Sequence, residues 1–205
     1  MVIYHFLILR KLFPVPGIEE FLPYTEEKCY ALSMKPQDII VLIKLHIWNQ
    51  GRWKIIPLAD SIFLSKTETQ KAIQRLKLSG LFDPGLERVR KSAMEEFFIH
   101  GLKYCFPAEV GATQRGVPTA HSGPPLVDHI VSGGETYVWA HPKGKKRGLS
   151  VKPLYKTAPD AALNDPRMHQ YLSLLDALRI GKAREQTMAK EELIKLIKLG
   201  NENES

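Results

Sequence analysis

Cysteine is scarce. Cys29 and Cys105 are the only two in 205 residues, too few for a disulfide framework and suited to a reducing cytoplasm. Cys105 lies in an apolar run and is expected to be a small core residue. Long apolar runs are also missing. MVIYHFLIL at the amino end is too short to cross a bilayer, and a basic pair follows it instead of preceding it. Neither a transmembrane helix nor a signal peptide is expected, so no membrane partner is. The signatures of nucleotide and acyl chemistry are absent as well: no P-loop, no GxGxxG, no Ser-His-Asp order. His100, His121, His129 and His141, with Asp128 or Cys105 nearby, match no metal-ligand spacing. His100 lies in a helical stretch, where a hydrogen-bonded histidine is the simpler reading. Neither catalysis nor a cofactor or metal is expected.

In places acid is the missing element. Net charge is +7 and the pI about 9.3, which favours an acidic partner, nucleic acid first. The excess is local. Residues 34–83 hold eight Lys or Arg against four Asp or Glu, and residues 143–156 hold six basic residues and no acid. Residues 181–205 balance at five against five.

Residues 1–33 hold Pro14, Pro16, Gly17 and Pro23 and no sustained period. They are either an arm on the core or a segment ahead of a true start at Met34. From Asp38 to Trp48 the chain is apolar on most sides, as a buried helix requires. NQGRW makes a turn, and Trp53–Ile56 suits a short strand. Two short helices follow in LADSIFLSKTETQKAIQRLKLSGLFD. Pro57 can open the first, with Leu58, Ala59, Ile62 and Phe63 on one face. Ser65 caps the second, and Glu68 completes a capping box. Thr69, Ala72, Ile73 and Leu76 share the inner face. Gly80 is a left-handed stop, and Leu81-Phe82 return to the core. Asp83-Pro84-Gly85 turns the chain, and Leu86–Arg90 alternates weakly. Ser92 and Glu95 predict a second capping box for a helix through Cys105.

Beyond Pro107 the period is lost. EVGATQRGVPTAHSGPPL reads as a loop whose glycines, Gly111 and Gly116 among them, turn the chain; an anion held by GATQRGVP, with its two glycines and an arginine, is the alternative. Thr136–Ala140 and Leu149–Tyr155 then read as a β-hairpin whose basic tip is Lys143, Lys145, Lys146 and Arg147. Asn164 or Asp165 caps a helix that begins at Pro166 and ends at Gly181. Its apolar stripe is Met168, Leu172, Leu175 and Leu178. A last helix spans Ala183 to about Leu199, with Met188, Leu193, Leu196 and Ile197 on one side. NENES is expected to be disordered.

The outer face after Ser65 carries Lys66, Thr67, Gln70, Lys71, Gln74 and Lys77, with Glu68 the only acid. Glutamine pairs with adenine edges, and lysine pairs with guanine edges or phosphate. A solvated helix face in a protein-binding domain is the alternative.

Leu64-Ser65, Ala72-Ile73, Leu76 and Gly80-Leu81-Phe82, in the order helix, short strand, helix, helix, resemble the winged helix-turn-helix of bacterial and archaeal transcriptional regulators, the MarR-like kind in particular. The resemblance covers about residues 36–90. It implies that the helix over 66–79 enters the major groove. Ser65, Lys66, Thr67, Gln70, Lys71 and Gln74 would then face DNA, with Arg75 or Lys77 at phosphates. The family places its wing soon after this helix. Here the wing is either a stunted one at Leu86–Arg90 or the displaced hairpin at 136–155, whose basic tip would lie along phosphates.

The expected fold is therefore mainly α with a small β-hairpin: a winged helix-turn-helix domain plus a carboxy-terminal helical extension. Its parts are an arm (1–33), a DNA-binding core (34–106), a Gly/Pro-rich loop (107–135), a basic hairpin (136–156), a helical hairpin (157–200) and a tail (201–205). The expected partner is double-stranded DNA, bound by a cytoplasmic homodimer formed through the carboxy-terminal helices. The competing expectation is a protein-binding adaptor or antitoxin-like subunit that holds a partner with those same helices. RNA is a weaker third, since no stacking pattern of the usual modules is present.

Overall fold

A single helix, α1 (Pro36–Trp48), sets the axis of the fold. Asp38 accepts a hydrogen bond from the Lys35 backbone N–H at 2.8 Å, and every residue from Asp38 to His46 is buried. All-round burial is what a helix apolar on most sides predicts. The computed structural model describes residues 33–48, 53–129 and 135–199. Contacts divide the chain between Met34 and Lys35, and the unit that begins at Lys35 is the one described below. The expectations for residues 1–32, including Cys29 and the Pro-containing arm, and for the 201–205 tail lie outside the described residues.

Residues Trp53–Ile56 are not a strand. Helix α2 (Ile55–Ser61) begins two residues before Pro57, which therefore sits in the first turn, where backbone donors are unpaired anyway. Leu58, Ala59 and Ile62 are buried. Phe63 leaves the expected face: it is 51% exposed and turns the chain at φ 56°, a rare conformation for a bulky residue.

Helix α3 (Lys66–Leu78) is capped by the Ser65 hydroxyl, which accepts from the Glu68 N–H. Glu68 does not return the bond, so only half of the capping box forms. The helix ends in a Schellman motif. The Leu81 N–H donates to the Leu76 carbonyl and the Gly80 N–H to that of Lys77, with Gly80 at φ 76°. Leu81 and Phe82 then enter the core. Two short antiparallel strands follow, β1 (Phe82–Asp83) and β2 (Arg88–Val89). Asp83 shapes the turn between them by accepting from the Gly85 and Leu86 N–H groups.

Helix α4 (Lys91–Glu96) starts one residue before Ser92, and no side chain caps it. It passes through a π-helical turn (Phe97–Gly101) into α5 (Leu102–Cys105). Cys105 is exposed, against the expectation of a core residue.

The Gly/Pro-rich stretch holds the largest departure from expectation. Its first part is a nine-residue strand, β3 (Val110–Pro118). Strands β4 (Tyr137–Ala140) and β5 (Lys146–Val151) are not a hairpin. They pair in parallel, each pairs antiparallel with β3, and the three close a small barrel. Gly116 does not turn the chain. It faces Ala140 on one side and Lys146 on the other, where a Cβ would overlap the Trp139 carbonyl. A Cβ on Gly144 would overlap Gly116 itself. Three strands close at this radius because their crossing points carry no side chains.

The carboxy-terminal part is helical: α6 (Ala158–Asn164), α7 (Pro166–Ile180) and α8 (Ala183–Leu199). Asp165 caps α7 through the Arg167 and Met168 N–H groups. Its other oxygen accepts from Lys44 at 2.7 Å, which ties α7 to α1. Met168, Leu172, Leu175 and Leu178 are buried. So are Ala189, Leu193 and Ile197 of α8. The chain's own core thus covers the stripe of α7 and the Leu193 and Ile197 part of that of α8, while Met188 and Leu196 stay half-buried, so the apolar character of these helices argues less for a dimer or an adaptor. Among the described residues the fold is mainly α, with one two-stranded hairpin and one small barrel. No described helix is long and apolar enough to cross a membrane.

The core makes a pH prediction. Burial, then the charges of Lys91 and Arg167, push His46 down to about 4. Between about pH 6.5 and 4 the unfolded chain binds a proton at this position and the folded chain does not. Stability is intact above 6.5 and falls as pH drops through that window, by about 3 kcal/mol for a depression of this size. Burial lowers His169 too, with the same sign. Urea midpoints at pH 7 and 5 should differ less in His46→Gln than in the natural protein. Equal differences would show that His46 titrates normally in the folded state.

Candidate nucleic-acid interface

Two basic surfaces were expected to act, and they differ in construction. The first is the outward face of α3. Its inner face, Thr69, Ala72, Ile73 and Leu76, is buried and fixes the rotation of the helix. Ser65, Lys66, Thr67, Gln70, Lys71 and Gln74 are all exposed. Lys77 is half-buried, with its ammonium 6.0 Å from the centre of the Phe82 ring.

Arg75 does not belong to this surface. It is 5% exposed and points inward. Its Nε and one terminal nitrogen donate to the two carboxylate oxygens of Asp38 at 2.8 and 2.6 Å. That terminal nitrogen also reaches Glu68 at 2.7 Å. The expected phosphate contact is therefore corrected: at i+3 from Ala72 the side chain falls on the core side of the helix, and Asp38 of α1 is there to receive it.

This arrangement changes the sign of the outer face. Glu68 is the only acid on α3, and it is drawn back onto Arg75 and onto Gln37, whose amide donates at 2.9 Å. Burial works to raise the Glu68 carboxyl, but the Gln37 and Arg75 hydrogen bonds and the Arg75 charge bring it below its ordinary value. Hydrogen bonding to Asp38, then to Glu68, raises Arg75 against the cost of burial. The acid stays ionised and already paired. What remains outside is a strip of amides, hydroxyls and lysines without an unpaired carboxylate.

Beside this strip stands the β1–β2 hairpin at the carboxy-terminal end of α3. Trp53 braces it: the indole N–H donates to the Glu87 carbonyl at 3.3 Å, and the ring meets Phe82 edge-on. Of the two wing positions open in the sequence, the one at Leu86–Arg90 is where a short hairpin follows α3 directly.

The second basic surface is carried by the barrel. Lys143, Lys145, Lys146 and Arg147 are exposed, on the link into β5 and on its first residues rather than at a hairpin tip. Pairing across β3 adds Arg115, which lies opposite Arg147, is exposed, and anchors the link by donating to the Gly144 carbonyl at 2.7 Å. The sequence did not reveal Arg115 as a partner of this cluster. Residues 110–115 are exposed on both sides of the strand, so no alternation betrays it. The one available signal was the pair of glycines that flank it at Gly111 and Gly116.

The histidines do not converge. His121 lies between the Glu185 carboxylate and the Glu135 carbonyl. His141 is 3.2 Å from Asp160. His100 and His129 are exposed.

No protein-family model, no curated protein and no solved structure matches this chain.

Proposed function

We propose that this protein binds double-stranded DNA and regulates transcription, with α3 in the major groove as the recognition helix of a winged helix-turn-helix and the β1–β2 hairpin as a stunted wing. One observation carries the proposal. The side of α3 away from the core exposes Ser65, Lys66, Thr67, Gln70, Lys71 and Gln74, while the only acid of that helix is folded back onto Arg75. Glutamine and lysine at i and i+3 along one helix face reach successive base edges, and the amino end of the helix favours a phosphate. The barrel cluster Lys143, Lys145, Lys146 and Arg147, joined by Arg115, supplies backbone contacts that fix position without reading sequence.

The test is electrophoretic binding to the DNA upstream of the protein's own coding sequence, across a salt series, beside a random duplex. Lys71→Ala with Gln74→Ala should weaken the upstream site by roughly tenfold to a hundredfold, as loss of one good base contact implies, and leave the random duplex nearly unchanged. Replacing Lys143, Lys145, Lys146 and Arg147 by Gln should weaken both duplexes and reduce the slope of log affinity against log salt by as much as about 3 to 4. Equal losses on the two duplexes for both variants would refute this division of labour. Indifference of both duplexes to salt would refute DNA binding itself.

A further inference from the structure

A cleft of about 700 Å³ lies between the end of α1 and the junction of β2 with α4, bordered by Leu45, His46, Gly80, Arg88, Arg90 and Lys91 among others. We propose that it is a binding site for a small organic anion, one that presents a carboxylate or a phosphate to His46 and to Arg88 and Arg90. The size is that of a small-molecule site, with room for more than a bare ion.

His46 is the first reason. It is 2% exposed, and neither ring nitrogen has a hydrogen-bond partner among the described residues. Buried polar groups are almost always partnered, because an unmade bond costs the full desolvation of the group. Tyr171 meets the imidazole edge-on at 5.7 Å, and its own buried hydroxyl is likewise unpartnered. Of these two adjacent orphaned groups, His46 borders the cleft and Tyr171 stands behind it. A neutral imidazole has one N–H to donate, which an anionic oxygen accepts.

Charge is the second reason, and it is independent of the first. Arg88 and Arg90 are both exposed and flank the buried Val89, so they project from the same side of the strand. Lys91 follows at the start of α4. Burial, then the charge of Arg88, lowers Lys91, and the charges of Lys91 and Arg167 bear on His46. The one acid in the lining is Asp83. It is held by the Gly85 and Leu86 N–H groups and by Arg90 at 3.4 Å. The cleft thus gathers cations around a neutral donor, an arrangement that an anion stabilises and a cation or a plain apolar ligand does not.

Binding is read on the full chain labelled with ¹⁵N-histidine, from the His46 ring signals, assigned by their loss in His46→Gln. Inorganic phosphate, citrate and adenosine monophosphate are titrated separately, each against sodium chloride at matched ionic strength. At least one should shift the His46 signals saturably where chloride does not. Citrate alone would mark a carboxylate site; phosphate or the nucleotide would mark a phosphate site. Arg88→Ser with Arg90→Ser, both at exposed positions, should raise the half-saturating concentration about tenfold or more while the circular dichroism spectrum stays unchanged. Three anions that behave like chloride would overturn the proposal. So would equal binding by the arginine variant. No DNA is needed for this readout, so its failure and the failure of the DNA-binding reading are separate events.

Discussion

Asp176→Ala should destabilise the protein by about 3–5 kcal/mol, the cost of removing one partner from a buried ion pair. The carboxylate is 1% exposed. One oxygen accepts from the Thr119 hydroxyl at 2.8 Å and from the Trp139 indole N–H at 2.6 Å. The other accepts from Arg179 at 2.6 Å. Arg179 then donates to the Phe106 and Pro107 carbonyls. One side chain on α7 thereby joins the strand β4, the residue after β3 and the chain that leaves α5. Burial pushes the Asp176 carboxyl up, and the Arg179 charge with the three hydrogen bonds opposes it. Every partner is a donor, so the geometry is built for the ionised form. Alanine leaves the Thr119 hydroxyl and the Trp139 indole N–H buried without an acceptor and the Arg179 guanidinium without its counter-charge. Asp176→Asn should fall between, because an amide turns one donor towards another. Urea unfolding gives the stability, and Trp139 fluorescence, read with Trp48 and Trp53 replaced by Phe, reports the barrel separately. A loss under about 1 kcal/mol for alanine would mean that packing, not this carboxylate, holds the barrel against α7.

That hub shows which parts of the fold could be read from sequence and which could not. Helices α1, α3 and α7 were legible because their signals are local. Ser65, Gly80 and the Asp165-Pro166 pair each satisfy backbone groups within a turn of themselves. The inner face of α3 was legible from a 3.6-residue period alone. The barrel was not. Its long strand is exposed over Val110–Arg115, so it carries no alternation, and its glycines are there because neighbouring strands come too close for a Cβ. A glycine that permits a close approach and a glycine that permits a turn look alike in a sequence. The parallel pairing of β4 with β5 was hidden for a similar reason. Two strands separated by a short charged link imply a hairpin, and it is the antiparallel pairing of both with β3, far back in the chain, that sets them in one direction. Cys105 and Phe63 are errors of another kind: both lie in apolar runs, but end up at helix ends that the core does not cover.

The candidate site divides along the same line. The outward face of α3 followed from the period, but the role of Arg75 did not, because its partner Asp38 is 37 residues away. Arg75→Ala should therefore act twice. Asp38 is fully buried, and loss of the guanidinium should cost about 3–5 kcal/mol of stability. In the fraction that folds, Glu68 loses its main counter-charge and returns an acid to the face that carries Lys66 and Lys71, so DNA affinity should fall as well. Asp38→Leu with Arg75→Met removes both buried charges, and stability should recover much of the loss, as apolar replacement of whole buried pairs does. If Glu68→Gln is added, the face has no acid left, and affinity should return to that of the natural protein or above it. The slope of log affinity against log salt decides the point. An arginine that touches phosphate lowers that slope by about 1 when it is removed; an arginine whose work is to hold Asp38 and Glu68 inward leaves it unchanged. The triple variant should keep the natural slope. A drop of about 1 would place Arg75 on the DNA backbone and return it to the role that the family resemblance implies.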